Sequence, residues 1–341
     1  LHPKILDVIE NDVCTACGAC AAVCPVGAIT IDKKAQIRDP NNLELYEKGA
    51  APSVCEDCYA CGNVCPVVHG YVEDELYNVK QFFGARSSIP GQDGGVTSAI
   101  LKSLLDKGEI DCVVGITRNE NWETELVLMT EPSQVEQTAG TKYTYDSVIS
   151  ALREPFKDYD RIAVVGVPCQ THGARLIFEN INDKIAVIIG LFCMESFHHE
   201  TMLNDIIPKV LGLDIEQVVK MDFAKGKFWA YTKDGEGHSV KIPTVAEYAR
   251  NPCHHCCDYT AVHADISIGS VGAPDGWNSV LIRTDIGEKY FKKASKDLEI
   301  MENPEPGMDL IKKLLNMKHE KNEPHYLEAC EKFSFEAGGI K

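Results

Sequence analysis

Eight cysteines fall in two matching sets. Cys14, Cys17, Cys20 and Cys24 precede Pro25, and Cys55, Cys58, Cys61 and Cys65 precede Pro66. Each set has the spacing C-x2-C-x2-C-x3-C-P. Three thiolates at this spacing wrap one iron–sulfur cube as the backbone curls, and in two-cluster ferredoxins the fourth ligates the other cube. The expected assignment is Cys14, Cys17, Cys20 and Cys65 on one 4Fe–4S cluster, with Cys55, Cys58, Cys61 and Cys24 on a second. Gly18, Ala19, Ala60 and Gly62 are small, which lets the backbone approach the inorganic sulfides. Zinc knuckles are the plainer alternative, but zinc takes paired C-x2-C units with four ligands per ion. Cross-ligation keeps two clusters close, a geometry for a wire rather than a catalyst.

The other cysteines are Cys112, Cys169, Cys193, Cys253, Cys256, Cys257 and Cys330. Cys169 follows an apolar run in Gly166-Val167-Pro168-Cys169, and Cys193 follows another in Gly190-Leu191-Phe192-Cys193. If both runs are adjacent parallel strands, both thiols lie at one sheet edge, where α/β proteins place their sites. Cys253-His254-His255-Cys256-Cys257 adds a C-x2-C. Cys169, Cys193, Cys253 and Cys256 form a candidate ligand set for a third 4Fe–4S cluster. A zinc half-site, a redox pair, or buried thiols acting as small apolar residues are the alternatives at this point. His254 or His255 could replace a thiolate, and Cys257 competes with Cys256. Cys112 and Cys330 read as structural.

Three further segments carry weaker signals. Pro90-Gly91-Gln92-Asp93-Gly94-Gly95-Val96-Thr97 precedes a helical pattern, and N–H groups at a Gly-rich helix start suit phosphate. It follows no clear strand, and a capping turn through Asp93 is the plainer reading. Gly140-Thr141-Lys142-Tyr143 joins a turn, a cation and an aromatic ring. Asp265-Ile266-Ser267-Ile268-Gly269-Ser270 alternates like a strand with small polar residues on one face.

The elements that must hold these residues are readable in outline. Residues 1–75 form the repeated cysteine segment, with a polar loop over 39–52. From about 80 the texture becomes α/β. A helix is expected over Val96–Asp106, and strands over Asp111–Thr117, Glu125–Thr130, Arg161–Val167 and Lys184–Phe192. Antiparallel strands are expected over Val218–Phe223, Lys227–Thr232 and His238–Ile242, the last two joined at Asp234-Gly235. Further strands fall at Ala264–Gly269 and Ser279–Arg283. The tail over 301–341 is helix-rich and charged, and shows no site chemistry. The fold class is α+β: a small two-cluster ferredoxin-like domain over 1–75, then an α/β domain over 80–300 with an antiparallel β insertion, then the helical tail.

Bulk properties narrow the function. The net charge of −17 argues against a nucleic-acid partner, which needs a basic footprint. The longest apolar run, Ile185 to Met194, falls far short of the roughly 20 residues that span a bilayer. No signal peptide is visible behind Leu1, where Lys4, Asp7 and Glu10 interrupt any apolar stretch. The 15 cysteines therefore read as metal sites in a reducing, cytoplasmic setting rather than as disulfides.

Taken together, the segments QDGG (92–95), GTKY (140–143), GVPCQ (166–170), GLFCMESF (190–197), CHHCCDY (253–259) and ADISIGS (264–270) resemble, in composition and order, the family of coenzyme F420-reducing hydrogenase beta subunits. The resemblance spans about 80–300. It implies an FAD-binding domain that exchanges hydride with the deazaflavin coenzyme F420. FAD contacts are carried over to Gln92, Asp93, Gly94, Gly95, Thr97, Gly140, Thr141, Lys142, Tyr143, Asp265, Ser267 and Ser270. The resemblance also favours the third cluster at Cys169, Cys193, Cys253 and Cys256, although Cys257 stands where relatives often have Thr. Joined to a two-cluster segment, the set resembles the electron-input subunits of F420H2 dehydrogenases of methanogens.

The implied reaction is hydride transfer between reduced F420 and FAD, then single electrons through the clusters to a membrane-bound respiratory complex, another redox subunit or ferredoxin. Any membrane association is then peripheral, through partner subunits. Lys142 could stabilise a reduced flavin or a phosphate, or be a plain surface lysine. Arg86, Lys225, Lys227 and Arg283 are candidates to meet the coenzyme's acidic tail. The alternatives are a relay subunit of a hydrogenase, formate dehydrogenase or heterodisulfide reductase assembly, a ferredoxin-dependent tetrapyrrole reductase, and an NAD-linked diaphorase. Iron analysis of anaerobically purified protein separates the cluster counts: about 12 irons per chain for three clusters, about 8 for two.

Overall fold

The computed structural model describes residues 2–37 and 55–333. The loop expected over 39–52 lies outside them. The N-terminal cysteine segment comprises helices α1 (Pro3–Glu10) and α2 (Ala19–Val23), the antiparallel pair β1 (Ile29–Ile31) and β2 (Ala35–Ile37), and helices α3 (Ala60–Asn63) and α4 (Pro66–His69). Both α2 and α3 begin one residue before the third cysteine of a set. The end of α2 and the start of α4 fall at a Cys-Pro step, where proline lacks the N–H a continuing helix needs.

The body follows as β3 (Gln81–Arg86), α5 (Val96–Asp106), β4 (Cys112–Arg118), β5 (Thr124–Met129), α6 (Pro132–Gln137), β6 (Ile162–Gly166), α7 (Pro168–Asn180) and β7 (Ile185–Leu191). Then come β8 (Val218–Ala224), β9 (Lys227–Thr232), β10 (Gly237–Lys241), β11 (Ile266–Gly269), β12 (Asn278–Ile282), α8 (Asp285–Ala294), β13 (Glu299–Met301) and α9 (Gly307–Phe333). Eight strands make one sheet in the order β13-β3-β12-β11-β7-β6-β4-β5. The central four, β11, β7, β6 and β4, are parallel, and the flanking strands are antiparallel. β8, β9 and β10 form a separate antiparallel sheet.

The parallel strands read as continuous apolar runs because both their faces are covered. Side chains alternate across the sheet: Val113, Ala163 and Val187 pack with α5 and α8, while Cys112, Val114, Ile162 and Val164 face the other way. That second face packs against α7 through Ala174 and Ile177, and also against Cys17, Ala19 and Val64 of the cysteine segment. The segment is thus part of the outer layer of the body. Strand β3, which the sequence pattern does not reveal, precedes the Gly-rich stretch. Its residues, Gln81–Arg86, are small or polar at the ends, and it pairs with strands distant in sequence.

Leu104 stands at the centre of the α5 face and is fully buried. Leu104→Ala is expected to cost about 2–5 kcal/mol, measured as a lower urea midpoint at unchanged slope.

Candidate functional site

Cys14, Cys17, Cys20 and Cys65 line one cavity. The last thiol of the second set thus joins the first three of the first set. Backbone geometry serves the turn: Ala16 has φ 55° and Gly18 has φ 95°. A Cβ on Gly18 would stand 2.3 Å from the Ser150 amide nitrogen, so glycine lets the turn lie against the body. The N–H groups of Ala16 and Ala35 donate to the Cys14 sulfur at 3.4 and 3.3 Å. Burial, then the neighbouring thiol Cys65, pushes the Cys17 thiol up to about 12, and burial does the same to Cys65. A bound metal reverses that balance, because a coordinating thiol is deprotonated. In the second set, burial raises the Cys61 thiol, with Cys55 adding to the shift, and Cys58 is exposed. The Ala28 N–H donates to Cys24 at 3.2 Å.

Cys169, Cys193, Cys253 and Cys256 line a second cavity. Parallel pairing of β6 with β7, Gly166 opposite Gly190, brings Cys169 and Cys193 to one edge. Pro168 starts α7, where its missing N–H costs nothing, and so turns the chain directly after β6. Cys253 lies in a 3-10 turn, Asn251–His255, and the Cys256 N–H donates to the Cys253 carbonyl at 3.4 Å. Cys257 is buried in the same apolar cluster as Cys256, but neither it nor His254 or His255 lines this cavity. Among the described residues no His, Cys, Asp or Glu group closes on a single-ion site. Cavity-lining thiols suit a cube, whose ligands spread over separate corners, better than one zinc ion.

The two cavities adjoin, and Thr15 lines both. The residues at this junction carry no signal in the sequence. Arg250, 3% exposed, donates from Nη2 to the Thr15 carbonyl at 2.8 Å and lies 3.6 Å over the Tyr145 ring. The Tyr145 hydroxyl meets the Cys169 sulfur at 3.5 Å. Among the described residues Arg250 Nε has no hydrogen-bond partner, although it is buried. Such a donor beside four thiols fits an anionic cluster rather than an apolar void.

The expectation that the last stretch carries no site chemistry is corrected here. Lys318 of α9 is buried, lines the second cavity, and donates to the carbonyls of Cys193 and Asp258, each at 2.7 Å. Burial works to lower its pKa, but Cys256, Cys193 and Asp258 outweigh it and hold the ammonium above the ordinary lysine range. Asn322, one turn on, donates to the carbonyls of Cys253 and Cys256 at 2.9 and 2.8 Å. One lysine among many in a charged helix leaves no mark in a sequence. Only the docking of α9 distinguishes it.

The segments carried over as flavin contacts divide. Asp93 accepts from the Ser270 hydroxyl at 2.5 Å, and burial raises its carboxyl pKa, with Asp222 adding to the shift. Gln92 Nε2 donates to the Met221 carbonyl at 3.4 Å, and Tyr143 packs edge-on to Phe223 at 4.9 Å. Three segments far apart in sequence therefore meet beside β8, a strand with no site motif of its own. Thr97 is half-buried in the first turn of α5, and Gly140 and Thr141 are exposed.

Other carried-over residues are engaged within the fold. Ser267 is fully buried, donating to the Ala261 carbonyl at 3.0 Å and accepting from Arg283 Nε at 2.7 Å. Asp265 is buried against Arg175 at 2.6 Å and accepts from the Ile188 N–H at 2.8 Å. Both tie β11 into the fold. Arg283 is buried, donating also to Asn78 Oδ1 at 2.6 Å, so it cannot form a basic lip. Lys142 is no free surface cation: it donates to the Thr138 and Ala139 carbonyls beyond α6, and burial lowers its pKa to about 8. Gly94 and Gly95 have structural roles, since a Cβ would meet the Ala85 carbonyl at 2.7 Å and the Ile89 carbonyl at 2.1 Å. Asp93 does not cap α5. Gly95 occupies the cap position, and Asn278 Oδ1 accepts from the Val96 N–H at 3.3 Å.

Cys256→Ser is expected to lower iron by about 4 atoms per chain, the content of one cube, and Cys257→Ser to leave iron unchanged. Iron analysis after anaerobic purification checks both.

Residues 82–153 match the family described as coenzyme F420 hydrogenase/dehydrogenase, beta subunit N-term, and 159–306 match the corresponding C terminus. Residues 13–68 match a 4Fe-4S dicluster domain. A subunit of the F(420)H(2) dehydrogenase of Methanosarcina mazei is 65% identical over 340 residues, covering 99% of this chain and 98% of its own. The coenzyme F420 hydrogenase subunit beta of Methanothermobacter thermautotrophicus is 37% identical, covering 73% of this chain and 94% of its own. A chain in a solved structure of the F420-reducing [NiFe] hydrogenase complex from Methanosarcina barkeri superposes with a TM-score of 0.72 at 32% identity, covering 79% of this chain and 98% of that one. The chain belongs to the family of coenzyme F420 hydrogenase/dehydrogenase beta subunits and carries a 4Fe–4S dicluster domain ahead of the family's two matched regions.

Proposed function

We propose that this chain is an F420-dependent flavin iron–sulfur oxidoreductase that takes electrons from reduced F420 and relays them through 4Fe–4S clusters to a redox partner. The observation that carries this reading is the shared wall at Thr15. It makes the Cys169, Cys193, Cys253 and Cys256 cavity a neighbour of the Cys14, Cys17, Cys20 and Cys65 cavity. In this reading each thiol set holds one cube, and Cys24, Cys55, Cys58 and Cys61 hold another.

FAD is assigned to the place where Gln92, Asp93, Tyr143 and Ser270 meet β8. Bound there, FAD supplies the exchange between a coenzyme that carries electrons in pairs and clusters that take them singly. Support comes from the short path onward. Tyr143 is two residues from Tyr145, which touches Cys169, and the chain between them pairs with Phe197 just beyond Cys193. Asp93 and Ser270 present a paired acceptor and donor. The start of α5, where Gly95 offers no capping side chain, suits a phosphate. Tyr143 and Phe223 supply an apolar wall that excludes water. Lys225 and Lys227, at the tight turn joining β8 and β9, remain to meet an acidic coenzyme tail.

The exit is assigned to the cube nearest Cys58, the exposed thiol. A redox subunit or ferredoxin docking there would receive electrons at the surface. The named relatives include subunits of F420-linked dehydrogenase and hydrogenase, which accords with a partner. Among the described residues no helix is long and apolar enough to cross a membrane, so membrane contact would be made through such a partner. The test is anaerobic addition of reduced F420 to protein of measured flavin and iron content. The flavin and cluster absorbances are expected to bleach within one mixing experiment; unchanged absorbance in loaded protein would sink the substrate assignment.

A further inference from the structure

The two adjoining cavities differ in charge. Among the described residues, none lining the Cys14, Cys17, Cys20 and Cys65 cavity carries a cationic or carboxylate side chain; besides the thiols its walls are apolar residues, Gly18 and Thr15. The Cys169, Cys193, Cys253 and Cys256 cavity is lined by two buried cations, Arg250 and Lys318, and by one carboxylate, Glu195. The carboxylates have hydrogen-bond or ion-pair partners of their own. Glu195 pairs with Lys321 at 3.5 Å, and the Asp258 carboxylate accepts from the N–H groups of Ala261 and Val262 at 2.8 and 3.2 Å. Lys318 itself is held by two neutral carbonyls, and Arg250 by a carbonyl, a ring face and a long contact to Ser196 Oγ at 3.5 Å. Two cations taken out of water with no carboxylate at ion-pair distance among the described residues are costly unless an anion meets them.

We infer that Arg250 and Lys318 are positioning residues that set the third cluster's reduction potential above that of the cluster at Cys14, Cys17, Cys20 and Cys65, so that the third cluster is the first of the two to be reduced. The inference rests on the proposed third cluster. Reduction of a cube adds one electron and one negative charge to its cavity. A fixed cation beside it favours the reduced form, and an apolar wall disfavours it. The electron that enters is matched by no proton; the cations supply the compensation. Arg250 also donates to Thr15, the residue common to both cavities, so its charge is felt at the first cube. Lys318 lines the second cavity and not the first, so it acts chiefly on the third cluster.

The experiment is potentiometric titration of the anaerobically purified full chain with dithionite, followed by low-temperature electron paramagnetic resonance, with iron measured for each variant. In the unsubstituted chain the highest midpoint is expected to be the one lost in Cys256→Ser. Lys318→Met and Arg250→Gln should shift that midpoint to lower potential with iron retained. Lys318→Arg should restore it, and Lys318→Met should leave the other midpoints where they were. Lys318→Gln keeps a donor for the carbonyls without the charge and should shift the midpoint as Lys318→Met does. An unmoved midpoint in the neutral variants with full iron overturns the inference. Loss of iron from every neutral variant also overturns it, by making the cations structural. Failure of the underlying reading looks different: about 8 irons per unsubstituted chain, with no signal removed by Cys256→Ser.

Discussion

Electrons cross a protein only over short gaps, so everything in this molecule depends on the cysteine segment being pressed against the α/β body. Several contacts among the described residues hold it. Arg250 reaches the Thr15 carbonyl, and Arg153 donates to the Cys24 carbonyl at 2.7 Å and, more weakly, to Ala21. The Ile149 N–H donates to the Cys17 carbonyl at 3.2 Å. Gly173 of α7 has no side chain, and a Cβ there would stand 3.0 Å from Ala19 and 3.3 Å from the Cys17 sulfur. These partners are mostly carbonyl oxygens freed by the tight turns around the thiols. The irregular backbone that a cube requires is satisfied by arginines from the body.

The second requirement is to keep charge tolerable inside. Behind the second cavity, Glu75 is fully enclosed, yet it accepts from the N–H groups of Tyr259 and Thr260 at 2.8 and 2.6 Å and from His319 at 3.1 Å. Burial opposes its ionisation, but the bonds from His319 and Thr260 win and hold its carboxyl below the usual range. Arg283 closes the same network onto the Glu75 carbonyl, Asn78, Thr260 and Ser267. A buried polar network in which each member is met is rigid. It fixes the stretch from Cys256 to Ser267 against β12 and α9, and so steadies the Cys253–Cys256 turn that carries two of the four cavity thiols.

Much of the architecture was legible in advance. The helix at Val96–Asp106 and the strand at Lys227–Thr232 occur with the expected limits, because apolar periodicity and a Gly-containing turn are local signals. Strand β3 was not legible, since its pairing is with β12 and β13, about 200 residues away. The Gln92-Asp93-Gly94-Gly95 segment was legible as something special, but its glycines answer to close packing on β3 and the following loop, and its aspartate to Ser270 rather than to a helix cap. Asp265 and Ser267 read as site residues from a motif, and their burial and internal hydrogen bonds were not legible, because only the docked strand, with both faces covered, turns its polar groups inward to partners.

By itself, the sequence determined the ligand chemistry: soft thiolates at a spacing that wraps a cube, twice over, in a chain too acidic for nucleic acid. It also brought Cys169 and Cys193 into view as strand-end thiols. Tertiary structure alone decided which thiols share a wall. Cys256 lines the cavity while Cys257, its neighbour, does not, since adjacent side chains on an extended backbone point opposite ways. The same is true of the cations. Nothing in the order of residues distinguishes Lys318 from the other lysines of α9, and burial beside the thiols is a property of how the helix docks.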